Sequence, residues 1–400
     1  MLRILPFLFA LFFLLFFACK KEDELKKEDE IIDEPVKIQA QDTVKINEIQ
    51  ILASHNSYRL RTYEPIFNQL AQFSFLPSDL DPNDWDYTHP SFDIQFGHNV
   101  RSLEIDIFND PNGGHFYDRH GLTLVNEPVE SGIAELNTPG YKVLHVPDLD
   151  YRTHYHTFIQ ALEALKSWSD QNPNHVPIFI YVEGKSEAVG DVVSLSGYKK
   201  AIPYDAAAAD ALDNEVKTVF GAGLEKVITP DDIRGDFSSL NEAALAKNWP
   251  ILKEARGKFM FIISGSELIN HYVSGHPNLE GRSMFVFGDP GETYTACLLR
   301  NSPQGNESTI AGFVNDGYIV RTRADNGIES AKGNDDYSKS TAAFASGAQI
   351  VSTDYYRPDP RSDTSSVWTD FQVQLPNNGI ARFNPVNASG LLESEEEITE

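Results

Sequence analysis

Cysteine is almost missing from this chain. Of 400 residues only Cys19 and Cys297 carry a thiol. Cys19 stands at the end of an apolar leader, so its acylation would leave Cys297 alone, without an intrachain disulfide. The fold then rests on its own hydrophobic core, which a chain of roughly 380 residues can provide. Positive charge is scarce too, with 33 Lys and Arg against 59 Asp and Glu, a formal net charge of -26. A field of that sign excludes nucleic acid as a partner. It also disfavours unaided docking on an anionic membrane. A divalent cation could supply the missing positive charge locally.

Long hydrophobic runs are confined to residues 4–17, an apolar stretch broken only by Pro6 and preceded by Arg3. The run is too short for a comfortable membrane span and has the form of a secretory leader. It ends in Phe16, Phe17, Ala18 and Cys19. A small residue before a cysteine resembles a bacterial lipoprotein cleavage site, although the two phenylalanines depart from its strict form. Residues 1–18 are therefore expected to be a lipoprotein signal peptide, with Cys19 lipidated. The alternative is an ordinary signal peptide with an incidental cysteine. The pentad KKEDE occurs at 20–24 and again at 26–30, so residues 19–46 read as a charged tether that cannot order itself. The expected location is the outer membrane or cell surface, as an exported lipoprotein anchored through its N-terminus.

From residue 47 onward short apolar runs alternate with longer amphipathic stretches. Strands are predicted at 49–54, 100–107, 142–146, 177–183, 258–264, 284–287, 317–323 and 348–353. Eight strands with helical connections predict an α/β fold, a (β/α)8 TIM-type barrel, regular or irregular, over 47–385. An acidic tail follows at 386–400. Phe158, Leu162, Leu165 and Trp168 recur at helical spacing, and Asn172-Pro173 stops that helix. Another helix is expected from about 240 to 255. Segments 60–98, 108–140 and 190–235 are long insertions of the kind that cover a site.

Polar anchors stand at the ends of the predicted strands: His55-Asn56, Glu104 with Asp106, His145, Glu183 with Lys185, and Arg321 with Arg323 and Asp325. Alternate residues of a strand share a face, so His55 points with Ile51 and Ala53, Glu104 with Asp106, Glu183 with Lys185, and Arg321 with Arg323 and Asp325. A barrel of parallel strands builds its active site from such end positions. Asn56, Glu104, Asp106 and Glu183 are hard oxygen donors, without sulfur or a close histidine pair. The set suits Ca2+, less well Mg2+, and poorly Zn2+. The competing explanation is that the carboxylates balance Lys185, Arg321 and Arg323.

His55-Asn56-Ser57-Tyr58, Leu103-Glu104-Ile105-Asp106, His145 with Asp148 three residues on, and Glu183 together resemble the catalytic barrel of the phosphatidylinositol-specific phospholipase C family. The similarity is to its bacterial calcium-dependent branch, and segments 249–258, 320–325 and 343–355 carry it further. The resemblance implies that His55 is the general base on the inositol 2-hydroxyl and that His145 protonates the departing diacylglycerol oxygen. It implies Asn56, Glu104, Asp106 and Glu183 as Ca2+ ligands. The products would be inositol cyclic phosphate and diacylglycerol. Lys185, Arg321 and Arg323 are the candidates for binding inositol hydroxyls or phosphate oxygens. His120, followed by Gly121, is the rival to His145. Two other functions compete: a phosphodiesterase acting on a glycerophosphodiester or related phosphodiester, and a catalytically silent surface lipoprotein that binds lipid or glycan. The chain is expected to be a monomer.

Overall fold

The computed structural model describes residues 40–400 apart from 74–75, 78–79, 194, 334–335 and 393–396. The leader 1–18, Cys19 and the tether as far as residue 39 lie outside the described residues. The strands in chain order are β1 (Ile49–Ser54), β2 (Val100–Phe108), β3 (Lys142–Val143), β4 (Ile178–Gly184) and β5 (Phe259–Ser264). They continue with β6 (Phe285–Val286), β7 (Cys297–Leu299), β8 (Ile319–Arg323), β9 (Ile350–Thr353) and β10 (Arg382–Phe383).

Eight of these run parallel in the order β6-β5-β4-β2-β1-β9-β8-β7. The two end strands meet at a parallel bridge between Phe287 and Cys297. The sheet is thus a nearly closed barrel, which leaves almost no exposed edge. Runs such as Phe-Met-Phe-Ile-Ile-Ser in β5 are buried along their whole length. Parallel strands covered on both faces need such continuous apolar sequence.

The barrel does not use the predicted strand at 142–146. Only Lys142 and Val143 pair, antiparallel, with the end of β2. The eighth barrel strand is β7, whose three residues are too few to show a period in sequence. His145 therefore belongs to a segment lying over the barrel, not to a barrel strand.

The helix Phe158–Gln171 agrees with its predicted range, with Thr157 and Gln160 closing a capping box. The helix expected over 240–255 is instead two, Leu240–Leu245 and Leu252–Ala255. Lys247 adopts a left-handed φ of 57° between them. Pro250, which lacks an N–H, follows. The insertion 190–235 contains the helix Ala206–Phe220, capped by Asp205. The insertions 60–98 and 108–140 build a second core from Ile66, Leu70, Trp85, Phe116 and Leu122 over Phe108 at the end of β2. Of their aromatic residues, Trp85 and Phe116 are buried in this second core, whereas Tyr87, Phe92 and Phe96 join the main one. Val44 and Ile46, within the segment read as tether, are buried. At the other end Ile398 is buried, and Glu400 pairs with Arg101 at 2.7 Å. Among the described residues no helix is long and apolar enough to cross a membrane.

Candidate active site

Register brings the acidic residues together. Asp106 on β2 lies opposite Glu183 on β4, and Glu104 shares the face of Asp106 two residues earlier. One oxygen from each of the three lies within 4.8 Å of the others. Asp106 is fully buried, and neither of its oxygens has a hydrogen-bond partner among the described residues. Lys185 Nζ stands 3.2 Å from Asp106 Oδ2 and 3.3 Å from Glu183 Oε1. Burial pushes the Asp106 carboxyl up to about 6; Lys185 opposes the rise, and Glu183 and Glu104 add to it. A fully buried carboxylate with Oδ1 unmet and Oδ2 facing only Lys185 is costly unless a further cation joins it. The donor set is all hard oxygen and fits Ca2+.

Asn56 directly follows the strand-end His55, in the left-handed region with φ 47°. Its neighbour Ser57 is tied to the acidic strand: Ser57 N donates to Glu104 O at 2.9 Å, and Glu104 N donates to Ser57 Oγ at 2.8 Å. The amide of Asn56 is therefore carried on backbone docked at a member of the cluster.

Each of the two histidines is held by an aspartate, and each aspartate by an arginine. His55 Nδ1 is 2.7 Å from Asp354 Oδ1, and its Nε2 is 3.7 Å from Glu104 Oε1. Arg323 donates to Asp354 Oδ2 at 2.8 Å. Burial works against the Asp354 charge, but His55 and Arg323 outweigh it and hold the carboxyl well below the usual range. His145 Nδ1 is 2.7 Å from Asp150 Oδ2. Arg59, fully buried, pairs with the same carboxylate. Burial again opposes the charge, and Arg59 together with His145 brings Asp150 down to about 2. Burial lowers His145 itself, with Asp150 acting the other way. A carboxylate on Nδ1 holds the tautomer that leaves Nε2 for proton transfer.

His145, Glu183 and Lys185 line one cavity of about 470 Å³, walled by Trp85 and by Ser186 and Glu187 of the loop after β4. Arg321 is buried and turned inward across the barrel, pairing with Glu104 and donating to Ser352 Oγ at 3.0 Å. Arg323 is likewise committed, to Asp354 and Asp325. His120 sits elsewhere, with its ring edge-on to Tyr198 at 4.9 Å. Asp148 accepts from the backbone N–H groups of His120 and Lys199, both at 2.7 Å, and does not reach His145.

Asp354, Asp150, Arg59 and Tyr87, whose hydroxyl lies 3.4 Å from His55 Nδ1, are the members of this network that sequence reasoning does not single out. Asp354 follows β9 directly, and the barrel places β9 beside β1. Its signal in sequence is the same strand-end position that marks His55. Arg59 and Tyr87 stand on a connection rather than on a strand and carry no such signal.

The chain matches a family model described as phosphoinositide phospholipase C, Ca2+-dependent, over residues 44–385. No curated protein sequence matches it. Among solved structures it is similar to a calcium-dependent phosphoinositol-specific phospholipase C from the Gram-negative bacterium Pseudomonas sp. The apo form described with a myoinositol complex is 17% identical with a TM-score of 0.50, over 86% of this chain and 96% of that one. A second crystal form of the apo protein gives 17% identity and a TM-score of 0.51, over 86% and 97%. The similarity in fold thus extends over nearly the whole of that enzyme.

Proposed function

Because this chain belongs to the Ca2+-dependent phosphoinositide phospholipase C family, we propose that it cleaves the glycerol–phosphate bond of phosphatidylinositol. In this reading the inositol 2-hydroxyl attacks the phosphorus, and inositol cyclic phosphate and diacylglycerol are released. The observation that carries the reading is a pair of His–Asp couples, His55–Asp354 and His145–Asp150, beside a buried acidic cluster in which Asp106 Oδ1 is left unmet.

Glu104, Asp106 and Glu183, with the Asn56 carboxamide, would hold the calcium ion. When bound, the ion supplies positive charge that neutralises the phosphate and favours ionisation of the attacking hydroxyl. The proton chemistry belongs to the chain. His55 keeps its Nδ1 proton on Asp354 and takes the 2-hydroxyl proton at Nε2. His145, seated on Asp150, gives a proton from Nε2 to the departing glycerol oxygen. The nucleophile comes from the substrate, so attack is intramolecular and needs no activated serine or cysteine. Lys185, on the cavity wall, would meet a phosphate oxygen or an inositol hydroxyl. Arg321 and Arg323 act through the carboxylates they hold, Glu104 and Asp354.

Product analysis tests this. Phosphatidylinositol, phosphatidylcholine and glycerophosphoinositol are each incubated with Ca2+ and with chelator, and followed by phosphorus NMR. The expected first product is inositol 1,2-cyclic phosphate, from phosphatidylinositol and only with Ca2+. An open monoester formed at once with solvent oxygen would instead identify a water-attacking phosphodiesterase.

A further inference from the structure

Tyr87 lies in the long connection between β1 and β2 and is buried. Contacts from Asn56, His55 and Arg59 converge on it. Asn56 Nδ2 donates to its hydroxyl oxygen at 3.0 Å. The same hydroxyl is 3.4 Å from His55 Nδ1, and its ring is near-parallel to that of His55, 22° apart with centroids at 6.4 Å. The Arg59 guanidinium lies over the ring at 4.4 Å. Finally, Arg59 Nη1 donates to the backbone carbonyl of Tyr87 at 3.0 Å.

A carboxamide has two chemically different edges: an NH2 that repels a cation and a carbonyl that binds one. Nothing in the amide's own shape chooses between them. Here the phenol oxygen engages the NH2, which leaves Oδ1 on the opposite edge of the amide plane. Asn56 is nearly fully buried, so water has little access to compete for either edge. Meanwhile Arg59, which holds Asp150 and through it His145, lies over the ring of the same tyrosine.

We propose that Tyr87 is a positioning residue for the cation site: its hydroxyl fixes the Asn56 amide with the carbonyl free for Ca2+, and its ring joins that ligand to the Arg59–Asp150–His145 arm. This inference rests on the assignment of Asn56 as a ligand in the function proposed above. Partners one step behind a metal ligand commonly change affinity by about 10–100-fold when removed.

The test is calorimetric titration of Ca2+, without substrate, into the full-length protein and three variants: Tyr87→Phe, Asn56→Asp and the two combined. Tyr87→Phe keeps the ring on Arg59 and beside His55 and removes only the hydroxyl. It should weaken Ca2+ binding by about tenfold. An aspartate at 56 has two equivalent oxygens and needs no partner to choose between them. Tyr87→Phe should therefore have no effect on affinity in the Asn56→Asp background. Unchanged affinity in the single variant, or an equal loss in both backgrounds, overturns the proposal. A second measurement needs no Tyr87 variant: the Asn56 side-chain NH2 resonance of the metal-free native protein should be protected from solvent exchange, and exchange at the free-amide rate overturns the proposal as well. Absence of Ca2+ binding by the native protein sinks the metal assignment itself, whereas native binding with an unaffected Tyr87→Phe sinks only the role of Tyr87.

Discussion

Replacing Asp106 by Asn should stabilise the metal-free protein while removing its response to calcium. Asp106 is fully buried, with Oδ1 unmet and Oδ2 facing only Lys185, and burial, reinforced by Glu183 and Glu104 and opposed by Lys185, lifts its carboxyl from 3.8 to about 6. A rise of that size, at about 1.4 kcal/mol per pH unit, costs the metal-free protein about 3 kcal/mol of stability at neutral pH. The substitution removes this cost, in which the pull of Lys185 is already included, but leaves a carboxamide buried with few partners. The net gain should be about 1–2 kcal/mol, or a melting temperature higher by about 2 °C in a chain of this size. The sign of the pH dependence follows. A group whose folded value lies above its unfolded value stabilises at low pH and loses that contribution as pH rises. Native protein in chelator should therefore lose stability between about pH 4 and pH 6 through this group, and Asp106→Asn should lack that part of the slope. Calcium should reverse the ranking: at 100 times its dissociation constant it adds about 2.7 kcal/mol to the native protein and little to the variant. Urea unfolding of both proteins, in chelator and in Ca2+ across that pH range, measures all of this. A variant that is less stable than native in chelator at pH 7, or that gains equally from Ca2+, refutes the reasoning.

His55→Ala and His145→Ala should each lower turnover by about a hundredfold or more with the fold intact, whereas His120→Ala should be near normal; steady-state kinetics with circular dichroism checks this, and a normal His145→Ala refutes the choice of acid. Arg59→Met strands the buried Asp150 carboxylate and should cost about 3–5 kcal/mol in urea unfolding. Asp150 is held at about 2 in the folded chain, below its unfolded value, so it contributes stability above about pH 4 that disappears as pH falls towards 2; acid unfolding of Asp150→Asn should lack that component. We also propose that the chain is anchored through a lipid on Cys19; Cys19→Ser should then release soluble protein or block processing, and mass spectrometry of an unmodified N-terminus elsewhere would refute it.

The barrel and its acidic floor are legible in the sequence because they depend on local periodicity. A strand's alternation puts Glu104 and Asp106 on one face wherever the strand lies, and helical spacing with the Asn172-Pro173 stop delimits 158–171. Short elements escape this reading: β7 has three residues, and an apparent strand at 142–146 ends after two paired residues once β2 supplies only an antiparallel edge there. The partners of the histidines are a tertiary matter. Asp354 is 299 residues from His55 and reaches it because β9 lies beside β1. Asp148 and Asp150 look equivalent near His145, yet backbone N–H groups from two other segments occupy Asp148, and Arg59 turns Asp150 to the ring. Strand patterning specifies which face a side chain takes, but which charge it meets depends on how the closed sheet and its insertions bring distant segments to the same end of the barrel.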